Sequence, residues 1–368
     1  MLACGGPAEE AAEAPMETPE KAYWVYFGPY TRETSKGIYR SRFNAANGEL
    51  TEAELAAEIE SPSYLTIHPN GKYLYAVSET REGTVTGYAL DAAIGGLTKI
   101  NTQPTQGSSP CDLEVDQTGQ MLVVVNYGSG STIAYKVGED GSLSEPSDFH
   151  EHTGSSVHQR QKSPHAHSID FSADNRFAMV SDLGIDKVLV YEADPAAGKL
   201  KQVGFGTVPA GGGPRHFAFH PNGKLAFAND EISSAVTAFR YDAATGGLEE
   251  LDTVSTLPEP VEGNSTAELQ VHPNGKFLYV SNRGHDSLAL VTIDEATGKI
   301  ERKANYPTLG ETPRNFNIAP GGEYLLAANQ NGDNVVVFKL NPDTGELTPT
   351  GRQITIDAPV CIVYHPVA

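Results

Sequence analysis

Six times along the chain a short apolar alternation runs into a tight polar turn and returns as a second apolar run. The copies are "PSYLTIHPNGKYLYAVSE" from Pro62, "PCDLEVDQTGQMLVVVNY" from Pro110, "HSIDFSADNRFAMVSD" from His167, "PRHFAFHPNGKLAFANDE" from Pro214, "AELQVHPNGKFLYVSNR" from Ala267 and "PRNFNIAPGGEYLLAANQ" from Pro313. Period-two alternation around an Asn-Gly or Gly-Gly turn reads as a β-hairpin. A second marker, Gly-x-Leu or Gly-x-Ile, recurs seven times, with its branched residue at Leu50, Leu97, Leu143, Leu200, Leu248, Ile300 and Leu347. A period of roughly 50 residues is that of a four-stranded propeller blade.

Seven turns against six hairpins leave one unit split between the chain ends. "APVCIVYHP" near the C-terminus reads as an unpaired first strand, and "AYWVYFGPYT" with "GIYRSRFN" near the N-terminus supply the strands that follow it. Joining them closes a ring without an open sheet edge. The expected fold is therefore all-β, a seven-bladed β-propeller of four-stranded blades occupying residues 21–368, with one blade shared by the two termini. An open solenoid is the alternative, and the split repeat argues against it.

Residues 1–20 stand apart. "MLACGG" has the look of a lipoprotein cleavage site around Cys4, and the Pro/Ala/Glu-rich run from Pro7 to Glu20 has the composition of a disordered tether. Only three residues precede Cys4, too few for a secretory signal, so a signal remnant and a chance match stay open. The other cysteines, Cys111 and Cys361, fall in apolar stretches as core residues.

The formal charge of −21 argues against nucleic acid and anionic membrane surfaces as partners. No stretch is long and apolar enough for a membrane span, and no metal-ligand spacing occurs, so neither metal nor cofactor is expected. An anionic substrate would be captured by local arginines alone.

In a propeller blade the innermost strand lies along the axis and the next runs antiparallel to it. The residue before the first strand and the residue after the second thus share one face. In the aligned repeats the first position holds Ser63, Cys111, His167, Arg215, Ala267, Arg314 and Val360; the second holds Glu79, Tyr127, Leu183, Glu231, Arg283 and Gln330. His167, Arg215 with Glu231, Arg283, and Arg314 with Gln330 come from four neighbouring blades and converge on one mouth of the channel. A solvated loop rim is the plainer account of any one of them; the set as a whole points to a site. His165 stands near the mouth with His167. His216 faces either the channel or its strand partner. Asn126 either binds substrate or bonds loop backbone, as do Asp182 and Asp230. Arg160 and Lys162 lie in an inserted segment, "HTGSSVHQRQKSPHAH", and could reach a phosphate. His68, His220, His272 and His365 sit in His-Pro turns on the opposite side and read as turn residues.

Together "PHAHS", "GPRHFAFHPNGK", "NDEISSAV", "LYVSNRG" and "PRNFNIAPGG" resemble the lactonase family of seven-bladed propellers, over nearly the whole chain after the tether. That family includes propeller-type 6-phosphogluconolactonases and fungal carboxy-muconate lactonising enzymes. The resemblance implies catalytic roles for His167, Arg215, Glu231 and Arg283; the placement of the repeats adds His165, His216, Arg314, Gln330 and Asn126 as candidate substrate contacts. The acidic motif reads Asn229-Asp230-Glu231, so Asp230 competes with Glu231 for the acidic role; the hairpin register favours Glu231. His167 suits water deprotonation near neutral pH, and Glu231 either orients a protonated partner or acts as base if burial raises its pKa.

The implied activity is metal-independent hydrolysis of 6-phospho-D-glucono-1,5-lactone to 6-phosphogluconate, in the oxidative pentose phosphate route, by a cytoplasmic monomer or small homo-oligomer. The alternatives are a lactonase or lactonising enzyme for another sugar or a muconate-type acid, and a non-catalytic propeller that binds a ligand or protein. An exported protein anchored through Cys4 would fit an unphosphorylated sugar lactone better. Matched ion pairs filling the mouth would favour binding, and an open pocket with unpaired arginines would favour catalysis.

Overall fold

The computed structural model describes residues 21–368, which form 29 β-strands and no helix. The Cys4 motif and the tether lie outside the described residues. The strands make seven sheets arranged as blades. Blade 1 is the shared one: the C-terminal strand Pro359–Pro366 pairs antiparallel with Ala22–Pro29, followed by Gly37–Asn44 and an outer edge split into Glu49–Leu50 and Glu54–Glu58. Blades 2 to 7 follow in chain order as four-stranded meanders, each beginning at the axis. Their innermost strands are Leu65–Ile67, Pro110–Val115, Ala166–Phe171, Pro214–Phe219, Ser265–Val271 and Pro313–Ile318.

Alternation explains where the core goes. Each blade is apolar on both faces, and among the described residues seven buried clusters fill the seven gaps between neighbouring blades. Phe217, Ala226 and Phe239 of blade 5, for example, pack on Phe177, Met179 and Val188 of blade 4. Since the core lies between blades, the axis is free to carry polar residues.

The His-Pro turns stitch the ring. Nε2 of His68, His220, His272 and His365 lies 2.8–3.0 Å from the carbonyl oxygen of Gly119, Gly275, Gly322 and Gly71, each in the next blade's turn. At His68, His220 and His272, Nδ1 accepts the backbone N–H two residues on, which fixes the ring as an Nε2–H donor.

Innermost strands enter the ring irregularly. The ladder steps over Cys111, His167, Arg215–His216, Ala267–Glu268, Arg314 and Val360 in six of the blades. A β-bulge sets two residues against one and re-aims a side chain. Here it falls where the chain turns into the channel, so strand-start residues that would alternate across the sheet face the axis together. In blade 5 the entry is held by Gly213, at φ 70°, where a Cβ would come within 2.9 Å of Ile232. Asp186 accepts its N–H at 2.8 Å.

Candidate active site

The bulges gather a ring. Ser63, Cys111, His167, Arg215, Arg314 and Val360 line one small cavity at the mouth, six of the seven strand-entry positions. The seventh, Ala267, contributes its carbonyl, which accepts Arg215 Nη1–H at 2.6 Å. A larger hollow lies elsewhere, at the turns of blades 3 and 4 around Asp174, Glu192 and Lys199, and no histidine or arginine lines it.

Glu231 is the hub. Its Oε2 lies 2.9 Å from Arg215 Nε and 3.1 Å from Arg283 Nη2, and its Oε1 lies 2.5 Å from Arg160 Nη2. The Arg215 contact is an ion pair without a hydrogen bond, because the Nε–H is not aimed at the carboxylate. Burial alone would raise the Glu231 pKa, but Arg283, Arg215 and Arg160 outweigh it and hold the carboxyl at about 2. The group stays ionised and is no proton acceptor near neutral pH, which removes the base role that burial would have allowed it. Asp230 is a different residue altogether. It is fully buried, accepts Thr237 Oγ1–H at 2.7 Å, and joins no ion pair of the cluster.

The buried polar atoms at the mouth without a hydrogen-bond partner include His167 Nδ1, Arg215 Nε and Arg283 Nε, with Ser63 Oγ and Asn315 Oδ1 beside them. Burial, then the charges of Arg215, His216, Arg314 and Arg283, hold the His167 pKa well below its usual value, so the ring is neutral. Arg283 is lowered to about 10, first by burial, and remains a cation. Arg314 carries its guanidinium 5.3 Å from the Tyr30 ring, and Tyr30 donates to Glu79 at 2.9 Å.

Of the other expected substrate contacts, His165 stacks on Tyr127 at 4.6 Å, and Tyr127 also meets His167 edge-on at 5.6 Å. His216 faces the channel, its ring 5.3 Å from that of His167. His165 stands beside the cavity without lining it, and two others lie further off. Asn126 is fully buried and gives its Nδ2–H groups to Thr105 O and Ser131 Oγ, which commits the amide to holding the blade rim. Gln330 meets neighbouring loops through its backbone, its N–H on Thr312 O and its carbonyl under Arg32 Nη2. In the inserted segment Gln161 is fully buried and donates to Leu183 O and Asp186 Oδ1, which sets the adjacent Arg160 over Glu231. Lys162 is exposed and takes no part in the ion pairs around Glu231.

Sequence reasoning passed over Tyr30, Tyr64 and Glu268, and placed Glu79 on the mouth face without giving it a role. Tyr64 and Glu268 follow the strand-entry positions directly; at Glu268 the signal was the run of two inward residues that a bulge creates. Among the described residues no group of three or more His, Cys, Asp or Glu is placed to hold a metal ion, and no helix is long and apolar enough to cross a membrane.

The mouth is both crowded and unsatisfied. Its cavity measures about 10 Å³, room for one water. Ion pairs surround Glu231, yet arginine and histidine nitrogens beside it have no partner. A closed ring with arginines grouped about a histidine and a carboxylate at one mouth defines a propeller lactonase class. The chain belongs to the lactonase family of seven-bladed β-propellers, whose model, "Lactonase, 7-bladed beta-propeller", matches residues 24–364. It is 36% identical over 296 residues to a Bacillus subtilis protein named 6-phosphogluconolactonase, covering 80% of this chain and 84% of the relative. A Formosa agariphila protein of the same name is 34% identical over 305 residues, 79% of this chain and 85% of the relative. Among solved structures, a periplasmic gluconolactonase of Pseudomonas aeruginosa superposes with a TM-score of 0.90 at 32% identity, covering 94% of this chain and 100% of that one.

Proposed function

We propose that the protein hydrolyses 6-phospho-D-glucono-1,5-lactone to 6-phosphogluconate in the cytoplasm. The observation that carries this reading is the charge at the mouth: Arg160, Arg215, Arg283 and Arg314 against Glu231 and Glu79, with guanidinium N–H groups left over. With Glu268 on the same cavity and its carboxyl at about 7, one to two excess positive charges in a partly desolvated pocket suit an anionic sugar lactone. The names of the Bacillus and Formosa relatives support the phosphorylated substrate.

In this reading neutral His167 takes a proton from water as the water oxygen attacks the lactone carbonyl. The oxyanion that forms is met by Arg215 and Arg283, fixed donors worth several kcal/mol at such a position. The C–O bond of the ring then breaks, and the ring oxygen receives the proton from His167. Glu231 holds the arginines in place, and Arg314 with Arg160 takes the phosphate. The lactone does not fit the one-water cavity, so it sits on the solvent side and Arg160 moves to admit it.

The similarity to a periplasmic gluconolactonase favours one second reading, hydrolysis of unphosphorylated gluconolactone. The test is background-corrected hydrolysis of both lactones side by side, with and without chelator. Faster turnover of the phosphorylated lactone, indifferent to chelator, is expected. Turnover of the unphosphorylated lactone alone would select the second reading, and turnover of neither would leave a binding propeller.

A further inference from the structure

Beneath the mouth a second cavity of about 350 Å³ runs down the axis. The two cavities share three lining residues, Tyr64, His216 and Glu268, so a partition one side chain thick separates them. The lower cavity carries Asp112, Glu114, Asp170 and Glu268, four carboxyl groups from three blades. Nothing in the reaction at the mouth uses them, although a buried carboxyl is costly to keep.

Lactone hydrolysis joins water to the acyl carbon and yields one hydroxyl, one carboxyl group and, near neutral pH, one proton lost from that carboxyl. The surplus proton is released in a pocket ringed by guanidinium groups, where a further positive charge is repelled. His167 is a poor place for it to stay, since burial and Arg215 disfavour the charged ring, and the same causes hold His216 neutral, so that ring can pass a proton on but not store it.

We propose, resting on the lactonase reading above, that His216 and Glu268 form a proton relay that carries the product's proton from His167 through the partition into the acid-lined channel. The His167 and His216 rings are 5.3 Å apart, and the cavity that both line has room for one bridging water. His216 Nδ1 lies 3.7 Å from Glu268 Oε1. The Glu268 carboxyl is pushed to about 7 by burial, against the pull of Arg215, so it exchanges a proton near neutrality. Its other oxygen accepts Asn315 Nδ2–H at 2.5 Å, which fixes the group.

The charged and titratable groups around Glu268 are Arg215 and His216 of blade 5, Asp112 of blade 3, Asp170 of blade 4, Tyr64 of blade 2 and Cys361 of blade 1. Arg215, then the Leu269 N–H and the Asn315 Nδ2–H, favour ionisation of Glu268 without overcoming its burial, and the acids beyond it raise one another. The relay thus runs from a cationic mouth toward carboxyls that hold protons. Glu114 and Asp170, further along, are partly exposed and pass the proton to solvent on the opposite side.

His216 and Glu268 act through His167, so their removal slows resetting of the site and leaves substrate binding alone. In Glu268→Gln, assayed on the phosphorylated lactone in dilute buffer at neutral pH, kcat is expected to fall about tenfold with KM nearly unchanged. Added imidazole buffer should restore kcat, after subtraction of buffer-catalysed ring opening, because a mobile base replaces the lost acceptor. Asp170→Asn, lower in the channel, should show a smaller loss with the same rescue, and it keeps the test open if Glu268→Gln does not fold. An unchanged kcat, or a loss that buffer does not restore, would overturn the relay. An inactive wild type on either lactone would instead overturn the lactonase reading, and the relay with it.

Discussion

The Glu231 carboxylate meets the Arg160 guanidinium at 2.5 Å, although 71 residues of chain separate them. Arg160 is also the most exposed member of the cluster, with 40% of its side chain in solvent. In the proposed reaction it serves both to admit the lactone and to hold its phosphate. In Arg160→Ala, KM for the phosphorylated lactone should rise about tenfold, as for loss of one charge-assisted contact, while KM for unphosphorylated gluconolactone stays level or falls. Thermal stability should change little, since an exposed partner contributes at most about 1 kcal/mol. Steady-state kinetics on both lactones check this, and an equal rise in the two KM values would contradict it.

Glu231→Gln has the opposite profile. It strands buried arginines, so a loss of about 3 kcal/mol in unfolding free energy is expected, with a fall in kcat of roughly a hundredfold as the donors lose their fixed positions. The pH dependence follows from the sign of the shift. The folded carboxyl is held at about 2, below the ordinary 4.5. Its stabilisation is present above 4.5 and lost as pH falls from there toward 2. Denaturant titrations of wild type and variant should converge over that acid range, and a constant gap between them would contradict the assignment.

Asp230 should behave in reverse. Burial raises its carboxyl from 3.8 to about 7, and its Oδ1 has no hydrogen-bond partner. The folded state keeps a proton that the unfolded chain loses, so this group's contribution to stability falls as pH rises from 3.8 through about 7. Asp230→Asn should flatten that slope without moving the acid limb set by Glu231. Melting temperatures across the range would show it, and an unchanged slope would refute it.

Turn histidines should be separable from the mouth histidine. His220 is buried and reaches Gly275 O at 2.8 Å in the next blade. His220→Ala should cost about 1–2 kcal/mol of stability for the stranded partner and leave kcat unchanged. A large kcat loss in a folded His220→Ala protein would mean that the ring transmits strain to the mouth.

Much of this was readable from the repeats. The split blade followed from seven turns against six hairpins, and the strand-entry positions Ser63, Cys111, His167, Arg215, Arg314 and Val360 do line one cavity. Alignment worked there because a closed ring repeats its geometry. It failed where local chemistry departs from the repeat. Asn126 occupies an equivalent rim position but spends its amide on Thr105 and Ser131, and Gln330 meets its neighbours through backbone. Glu268 was hidden because simple alternation turns the residue after an inward one away from the axis, and the bulge in the ladder at Ala267–Glu268 cancels that; Tyr64 precedes the paired stretch Leu65–Ile67, where no alternation applies. Burial of Glu231 is outweighed first by Arg283 and Arg215, which the repeats had placed beside it, and then by Arg160, whose contact across an inserted loop no periodicity reports.

His167 is neutral, buried and unbonded at Nδ1, which suits it to take a proton from water at the mouth. The most direct measurement is kcat/KM on freshly generated 6-phosphogluconolactone for wild type and His167→Ala, with folding of both verified by thermal melting. A loss on the order of a hundredfold or more in the folded variant is the predicted result for removal of a general base. Full activity in folded His167→Ala would contradict the account and move the chemistry away from this cluster.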